Sequence, residues 1–415
     1  MPLPRLILLA TLSLLAACGG GRHRVDPEPA PMSAMSTLVP AQPTDVGMSA
    51  QLGMRLEALA RRAIAEGTAP GVAIAVGRHG RLVHFAGYGT LDWADGSPAV
   101  DGRSLYDLAS LTKVVATTTT AMILEEEGRL ALDSAVALYV PEFAALDSLK
   151  RPITVRMLLT HVGGLEAGAP LWRTARGREQ YLNGIATRPL KAPPGSETIY
   201  SDWDMVVLQL VLERITGQPL DRFAAERIFG PLGMTDTGFL PDTLTLAMRL
   251  APTAVDSMLR GGLLRGVVHD TNAWAMGGVS GHAGLFSSAR DLSVFAQMLL
   301  NGGTYGGWRV VRPETLARWL APQGRGSSRA LGWDTPSPTS SAGLHFSPRS
   351  FGHTGFTGTS LWVDPERGLF VVLLANRVSS RGASGGHAAL RRDVADAVQR
   401  SILDAPLVRW EEPER

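Results

Sequence analysis

Apolar positions along the chain follow two spacings, one typical of strands and one typical of helices. Short apolar runs bounded by turn residues predict four strands, at residues 71–77, 81–87, 360–363 and 369–375. Between these two pairs the apolar residues recur mostly every three or four positions, and the clearest predicted helices there cover residues 109–127, 204–216, 219–229, 289–301 and 313–320. The same spacing predicts a helix before the first pair, at residues 48–66, and one after the second, at residues 387–403. We therefore predict an α+β fold, in which an antiparallel sheet from both chain ends is flanked by helices and carries a mostly helical middle region.

The first 47 residues lack this pattern and suggest a targeting signal followed by a linker. Residues 6–17 form an apolar run after Arg5 that is too short to span a bilayer, as in an export signal. The segment Leu15-Ala16-Ala17-Cys18 is similar to a bacterial lipoprotein signal, in which Cys18 would be lipidated. We expect a signal peptide at 1–18, a Pro-rich flexible tether at 19–47, the folded domain at 48–405 and a tail at 406–415. These assignments predict an exported protein, lipid-anchored to the bacterial cell envelope and facing the periplasm from the outer membrane.

Composition narrows the classes of function. Of the 415 residues, 45% are hydrophobic and 19% are charged, which excludes a disordered chain. The net charge is +2 and no block of like charge occurs, so we expect no nucleic-acid partner. Cys18 is the only cysteine, which excludes an intramolecular disulfide. The spacings typical of metal ligands are absent, so we predict no metal and no cofactor, unless the fold happens to bring His269, Asp270 and His282 together.

The segment Ser110-Leu-Thr-Lys113 is the strongest candidate for chemistry. In a helix that begins near Ala109, the two side chains lie one turn apart on the same face, and Ser110 lies among the free N–H groups of the first turn. A neutral lysine amine at this place could take the serine proton and leave a nucleophile. Only three of the 40 basic residues are lysines, and arginine cannot give up its proton, so the composition favours this interpretation over a surface lysine.

Five segments, in order, resemble the serine β-lactamase and penicillin-binding-protein superfamily, whose nucleophile motif is Ser-x-x-Lys. The resemblance covers about residues 48–403 and implies the β-lactamase/transpeptidase-like fold and a serine hydrolase related to class C β-lactamases. The five segments are Tyr106-Asp-Leu-Ala-Ser-Leu-Thr-Lys113, Leu158-Leu-Thr-His-Val-Gly-Gly-Leu165, Pro194-Gly-Ser-Glu-Thr-Ile-Tyr-Ser-Asp202, Pro231-Leu-Gly-Met-Thr-Asp-Thr-Gly-Phe239 and His353-Thr-Gly355.

The resemblance implies roles for four catalytic positions. Ser110 would attack an amide or ester carbonyl, while Lys113 and Tyr200 would activate it and relay protons to the leaving group. The backbone N–H groups of Ser110 and Phe356 would form the oxyanion hole. No cofactor is needed for this chemistry.

Four further positions would contact the substrate: Asp202, His353, Thr354 and Gly355. Asp202 and His353 depart from the usual Asn and Lys of the superfamily. A carboxylate only accepts hydrogen bonds, so we expect Asp202 to pair with Lys113, hold it charged and oppose its role as a base. His353 would be mostly neutral, but it could still donate a hydrogen bond to a substrate carboxylate or to Tyr200.

A Gly-rich stretch at 277–287, together with Val267-Val-His-Asp270, resembles a subgroup that includes cell-wall-recycling amidases. It lacks the Lys and Ser/Thr of a phosphate-binding loop. A tight loop and a rim of the substrate site are equally good interpretations of this stretch.

The sequence thus predicts a lipid-anchored serine hydrolase that forms an acyl-enzyme on small peptide, amide or ester substrates. Peptidoglycan-derived muropeptides or D-amino-acid peptides are the expected substrates. A small-ester esterase or weak β-lactamase is one alternative, and a penicillin-type binding or sensing lipoprotein without turnover is another. The sequence leaves the oligomeric state open.

Overall fold

The computed structural model describes residues 37–323, 328–338, 340–382 and 385–409. The predicted signal peptide, with Cys18, and most of the predicted tether lie outside the described residues. Over the described ranges, no helix has both the length and the apolar character needed to cross a membrane.

The main sheet has six strands and is built from both ends of the chain. In chain order, the strands of the described residues are β1 (Val39–Pro40), β2 (Gly71–Arg78), β3 (Arg81–Gly89), β4 (Tyr106–Asp107), β5 (Gly238–Phe239), β6 (Val255–Asp256), β7 (Gly262–Leu263), β8 (Leu285–Ser287), β9 (Thr304–Tyr305), β10 (Trp308–Arg309), β11 (Phe351–Thr354), β12 (Ser360–Asp364) and β13 (Leu369–Ala375). The main sheet has the order β1-β3-β2-β13-β12-β11, and its pairs are antiparallel except for β1 with β3. This confirms the predicted α+β sheet, with one parallel edge pair that was not predicted.

Helices cover this sheet and fill the middle of the chain. They are α1 (Leu52–Ala65), α2 (Thr119–Glu126), α3 (Val136–Tyr139), α4 (Val155–Leu159), α5 (Gly177–Ala186), α6 (Asp202–Thr216), α7 (Leu220–Ala224), α8 (Thr271–Ala275), α9 (Ala289–Leu300), α10 (Pro313–Leu320) and α11 (Gly386–Gln399). A π-helical segment, Lys113–Thr118, leads directly into α2, and another, Ala225–Phe229, follows α7. Short 3-10 turns cover Pro43–Val46, Pro141–Ala144, Ser148–Lys150, Leu171–Arg173 and Arg377–Ser379.

Alternate residues of β2 contribute to two separate hydrophobic cores. Val72, Ile74 and Val76 pack with α1 and α11 on one face of the sheet. Ala73 and Ala75 belong to the larger core that the sheet shares with the middle helices. Because both faces are covered, every residue of β2 is buried, which explains its uninterrupted apolar run.

The folded unit begins before the predicted boundary at residue 48. Val39–Pro40 pairs with β3, and Pro43–Val46 forms a 3-10 turn. The buried guanidinium of Arg78 donates to the Val46 carbonyl (2.5 Å) and pairs with Asp404 (2.7 Å). Backbone pairing and a buried cation thus fix residues 39–46 despite their Pro-rich surroundings, and this part of the predicted tether belongs to the domain.

The C-terminal boundary also differs from the prediction. The last helix ends at Gln399 rather than at residue 403, because the following residues pair with the N-terminal segment: Ser49 N–H donates to the Ser401 carbonyl (2.7 Å). The carbonyls of Pro406 and Val408 accept hydrogen bonds from other parts of the domain, so the predicted tail begins in contact with the fold.

Candidate active site

Ser110 lies in a tight turn immediately before a buried helix. Ala109, the preceding residue, has a φ of +46°, a left-handed conformation that is strained for a residue with a Cβ. The turn is held by the Ala109 N–H, which donates to Asp107 Oδ1 (2.8 Å), and by the Thr112 N–H, which donates to the Ala109 carbonyl (3.0 Å). The helix begins at residue 111, two residues later than predicted, and continues as Lys113–Thr118. Ser110 is therefore presented by the turn rather than by the first helical residues.

The Lys113 side chain connects three parts of the site. Its Nζ donates to Ser110 Oγ (2.9 Å), to Asp202 Oδ1 (2.7 Å) and to the His282 carbonyl (3.2 Å). These three acceptors use the three N–H groups of an ammonium. A neutral amine could keep two of the contacts as a donor and accept the Ser110 hydroxyl proton through the third. The 2.9 Å contact is therefore compatible with either position of the proton.

The charge of Lys113 is set by its buried surroundings. Burial by itself lowers the pKa of Lys113, but the negative charge of Asp202 and that of an ionised Tyr200 raise it, and the net shift of the pKa is upward. The ion pair expected from the sequence between Asp202 and Lys113 is present. In the free protein this pair holds Lys113 as an ammonium, which disfavours it as the first proton acceptor.

Tyr200 lies between cations and imidazole rings. Lys113 Nζ is 4.9 Å from the centre of the phenol ring, and the Arg329 guanidinium carbon is 5.2 Å from it. The ring centres of His161 and His353 are 4.7 and 6.0 Å from that of Tyr200. Positive charge on two sides of the ring favours negative charge on the phenol oxygen during a proton transfer.

His353 is buried at the end of β11. Burial, together with the charges of Arg329 and Lys113, lowers the pKa of His353 well below its usual value, so the ring is neutral. Its Nδ1 lies 2.9 Å from the Thr354 carbonyl. A carbonyl only accepts, so Nδ1 carries the proton and Nε2 offers a lone pair. The expected donation from His353 to a substrate carboxylate or to Tyr200 would require the contact with Thr354 to break, and it stays a prediction.

The segment after β11 is tied to the residues just before Ser110. Thr357 Oγ1 donates to the Asp107 carbonyl (2.6 Å), and Thr359 Oγ1 donates to the Leu108 carbonyl (3.0 Å). A Cβ at Gly355 would collide with this Leu108 carbonyl and with the Thr359 hydroxyl, so only glycine fits. Gly355 thus allows close approach of two protein segments. It also lines the cavity, and its expected contact with a substrate stays a prediction.

These ties bring Ser110 and Phe356 to the wall of one cavity. Over the described ranges, neither of their backbone N–H groups has a protein acceptor. Two free N–H groups on the wall of a cavity that holds a serine hydroxyl are the donors that an oxyanion hole requires.

The cavity over Ser110 has a volume of about 590 Å³. Its wall contains every site residue predicted from the sequence except Lys113, which lies buried behind it, and Cys18, which lies outside the described residues. The sequence interpretation missed a group of polar residues on the same wall, namely Arg329, Asp334, Arg377, His387 and Arg391. They follow no motif, and in a chain whose usual cation is arginine no signal distinguished them.

Three groups next to Lys113 have the chemistry of metal ligands. One ligand atom each from Asp202, Asp270 and His282 lies within 4.8 Å of the others. Asp202 is paired with Lys113, and Asp270 Oδ1 lies 2.9 Å from His282 Nε2, so each group already has a partner. The ammonium of Lys113 also opposes a second cation here. His282 and Ala283 line the cavity, so part of the Gly-rich stretch forms its rim.

Comparisons with known proteins agree on one family. The Beta-lactamase family model matches residues 56–396. A relative from Escherichia coli (strain K12), named "Putative D-alanyl-D-alanine carboxypeptidase", is 35% identical over 343 residues, which are 75% of this chain and 79% of the relative.

Two solved structures share the fold. EstCE1, a hydrolase with promiscuous acyltransferase activity, has a TM-score of 0.68 at 25% identity and covers 84% of this chain and 98% of its own. A penicillin-binding protein homologue from Caulobacter crescentus has a TM-score of 0.66 at 22% identity, with coverage of 84% and 98%. With the family model matching most of the chain, this protein belongs to the Beta-lactamase family of serine hydrolases.

Proposed function

We propose that this protein hydrolyses small peptides that end in a free D-amino-acid carboxylate, as peptidoglycan peptides do, through an acyl-enzyme on Ser110. The observation that carries the proposal is a cavity that combines the catalytic groups with a cluster of cations. Ser110, Tyr200 and Asp202 line it together with the cations Arg377 and Arg391. The carboxypeptidase name of the Escherichia coli relative supports the same substrate class.

In the proposed reaction Tyr200 acts as a phenolate, which accepts the Ser110 proton and becomes a neutral phenol. Lys113 remains an ammonium because of Asp202 and stabilises negative charge on both the Ser110 oxygen and the Tyr200 oxygen. Ser110 attacks the peptide carbonyl, and the N–H groups of Ser110 and Phe356 bind the oxyanion. Tyr200 then passes the proton to the leaving amine, and water releases the acyl group by the same steps in reverse.

The two cations of the cavity, Arg377 and Arg391, would bind the terminal carboxylate of the substrate. Burial and the neighbouring Arg377 lower the pKa of Arg391 to about 10, so Arg391 remains charged at neutral pH. Its Nη2 donates to the carbonyls of Gly355 (2.5 Å) and Thr359 (2.8 Å), while its buried Nε has no acceptor among the described residues. Arg377 lies over the Phe356 ring, with its guanidinium carbon 3.9 Å from the ring centre. An ester or amide without a carboxylate would leave this charge unpaired.

Export and lipid anchoring belong to the same proposal and rest on the sequence of residues 1–18 alone. A cell-envelope location would bring the enzyme to peptidoglycan. Labelling with a radioactive fatty acid in cells should modify the wild-type protein and not Cys18→Ser. A labelled Cys18→Ser protein would refute the anchor without touching the activity.

The decisive experiment combines active-site labelling with product analysis. Fluorescent penicillin should label the purified protein, and a D-Ala-D-Ala peptide should release D-alanine over many turnovers. Ser110→Ala should abolish both, while Ser148→Ala, which changes an exposed serine outside the cavity, should alter neither. Labelling that persists in Ser110→Ala would refute the nucleophile. One turnover without further release would indicate a sensor instead of a hydrolase.

Ester hydrolysis or acyl transfer is a second candidate, favoured by the similarity to EstCE1. Nitrophenyl esters, a chromogenic cephalosporin, muropeptides and D-Ala-D-Ala peptides should be assayed side by side. A kcat/KM for small esters well above that for the peptides would favour this candidate.

A further inference from the structure

His161 contacts Tyr200 and both of its neighbours in the chain. Its ring lies 4.7 Å from the phenol ring, between centres. Its carbonyl accepts from the Ile199 N–H (2.8 Å), and its ring Nδ1 accepts from the Ser201 N–H (3.3 Å). A single buried residue therefore holds the side chain of Tyr200 and the backbone on both sides of it.

Asp204 completes this arrangement from the first turn of α6. Its Oδ2 lies 2.9 Å from His161 Nδ1, while Oδ1 has no partner among the described residues. Both side chains are almost completely buried. Asp204 also lies two positions after Asp202, the residue that pairs with Lys113.

The hydrogen bonds indicate which group of the pair carries the proton. The Ser201 N–H points at His161 Nδ1, which favours a lone pair on this nitrogen. Asp204 then donates to the same lone pair as a protonated carboxyl, and the two donors share it. Burial and the charge of Asp202 raise the pKa of Asp204 well above its usual value. Burial and the nearby Arg329 and Lys113 lower the pKa of His161. A neutral pair also avoids a second negative charge near Asp202.

We propose that His161 and Asp204 form a neutral positioning pair that holds Tyr200 in register with Ser110. The proposal rests on the proposed function, in which Tyr200 transfers the proton. The pair touches neither the substrate nor the reacting atoms, so it acts through Tyr200. Loss of the pair should slow acylation and leave binding of the peptide almost unchanged.

The test compares two variants at one position. Asp204→Ala removes the donor to Nδ1, whereas Asp204→Asn keeps an N–H donor of almost the same shape. We expect Asp204→Ala and His161→Ala to slow the labelling of Ser110 by fluorescent penicillin about 10- to 100-fold, since small displacements of a catalytic group have effects of this size. Asp204→Asn should stay within about threefold of the wild type, and KM for the peptide should change less than twofold in all three.

A matched control separates positioning from stability. Asp364 is a fully buried carboxylate at the far end of β12, where it accepts hydrogen bonds from Ser347. Asp364→Asn should lower the unfolding temperature and keep the labelling rate of the folded protein. Labelling of Asp204→Asn as slow as that of Asp204→Ala would overturn the proposal, and so would a loss confined to KM.

The readouts also separate this proposal from the proposed function. A wild-type protein that is labelled at Ser110 but releases no D-alanine would refute the substrate, while the labelling rates would still decide the role of the pair. A wild-type protein that is not labelled at Ser110 would refute both.

Discussion

Asp202, which is partly exposed, and the buried Lys113 form an ion pair beside the nucleophile, with 2.7 Å between Oδ1 and Nζ. The same Nζ is 2.9 Å from Ser110 Oγ, so the carboxylate and the hydroxyl share one cation. A neutral amide in place of Asp202 would leave the positive charge of Lys113 available to the serine and the phenol alone. This residue is therefore where the site differs most in its electrostatics from the usual pattern of the superfamily.

Asp202→Asn should speed acylation by β-lactams at neutral pH. Removing the carboxylate removes the main charge that raises the pKa of Lys113 and lets the cation act fully on the developing oxyanions. We expect an increase of about tenfold in the acylation rate, the effect of roughly one pKa unit. Stopped-flow measurement with a chromogenic cephalosporin checks it. Asp133→Asn, an equal change of charge at an exposed site, should have no effect, and an unchanged rate in Asp202→Asn would contradict the prediction.

Asp107 should make the fold less stable as the pH rises from about 4 to 6. Burial is the main cause that raises the pKa of Asp107 to about 6, although its carboxylate accepts from the N–H groups of Ala109 and His269. Because this pKa lies above the value of 3.8 for a free Asp, the folded state binds the proton more tightly. The resulting decrease in the free energy of unfolding is absent below pH 4 and reaches about 3 kcal/mol above pH 6.

Urea unfolding of the wild type and of Asp107→Asn across this range checks the effect. The wild-type free energy of unfolding, relative to that of the variant, should fall by up to that amount. A difference between the two proteins that does not vary with pH would count against the assignment.

Gly355→Ala should disrupt the oxyanion hole. The added Cβ would meet the Leu108 carbonyl and the Thr359 hydroxyl, which join the loop of Phe356 to the turn of Ser110. We expect a stability loss of about 1–3 kcal/mol, as for other overpacked sites, and a large loss of acylation. Gly238→Ala is the matched control, since a Cβ at Gly238 would meet open space. Penicillin labelling and thermal unfolding of both variants decide the question.

Arg377→Ala should affect substrates according to their terminal group. We expect KM for a D-Ala-D-Ala peptide to rise about 10- to 150-fold, since a charge-assisted contact contributes roughly 1.5–3 kcal/mol. The corresponding C-terminal amide should be affected much less. Equal changes for the acid and the amide would show that Arg377 does not bind the carboxylate.

A chain that begins at residue 48 should be less stable than one that begins at residue 37. The shorter chain lacks β1 and the Val46 carbonyl that accepts from the buried Arg78 guanidinium. Arg78 keeps its ion pair with Asp404, but the loss of a hydrogen bond to a buried charged group costs about 1.5–3 kcal/mol. Urea midpoints of the two purified chains test this, and equal midpoints would place residues 37–47 outside the fold.

The sheet and most helices could be predicted because their signals are local. Each of these signals lies within a short stretch of sequence. Examples are the apolar run of β2, the hairpin between β12 and β13, and the Ser-x-x-Lys spacing. The confirmed fold class depends on these signals alone.

What escaped prediction depends on contacts between distant residues. The left-handed Ala109 and the π-helical start at Lys113 were not predicted. They follow a segment whose carbonyls, at Asp107 and Leu108, accept hydrogen bonds from residues about 250 positions later in the chain. The position of the proton on His353 depends on its contact with the Thr354 carbonyl. The positive charge in the cavity depends on the fold, which brings Arg377 and Arg391 to its lining. Local patterns carry no information about such meetings.

The central pairing of β2 with β13 has a consequence for how this protein reaches its native state. Ala75 lies opposite Val372, so the pairing of β2 with β13 closes a loop of roughly 300 residues. Neither hydrophobic layer is complete before this loop has closed. A nascent chain that lacks its last fifth would have neither layer complete, and it would expose the apolar edge of β2 that β13 covers, with β2 paired only to β3. The sheet of this enzyme can therefore be completed only after β13 has been synthesised. Until then, the exposed edge of β2 must be protected from pairing with other chains.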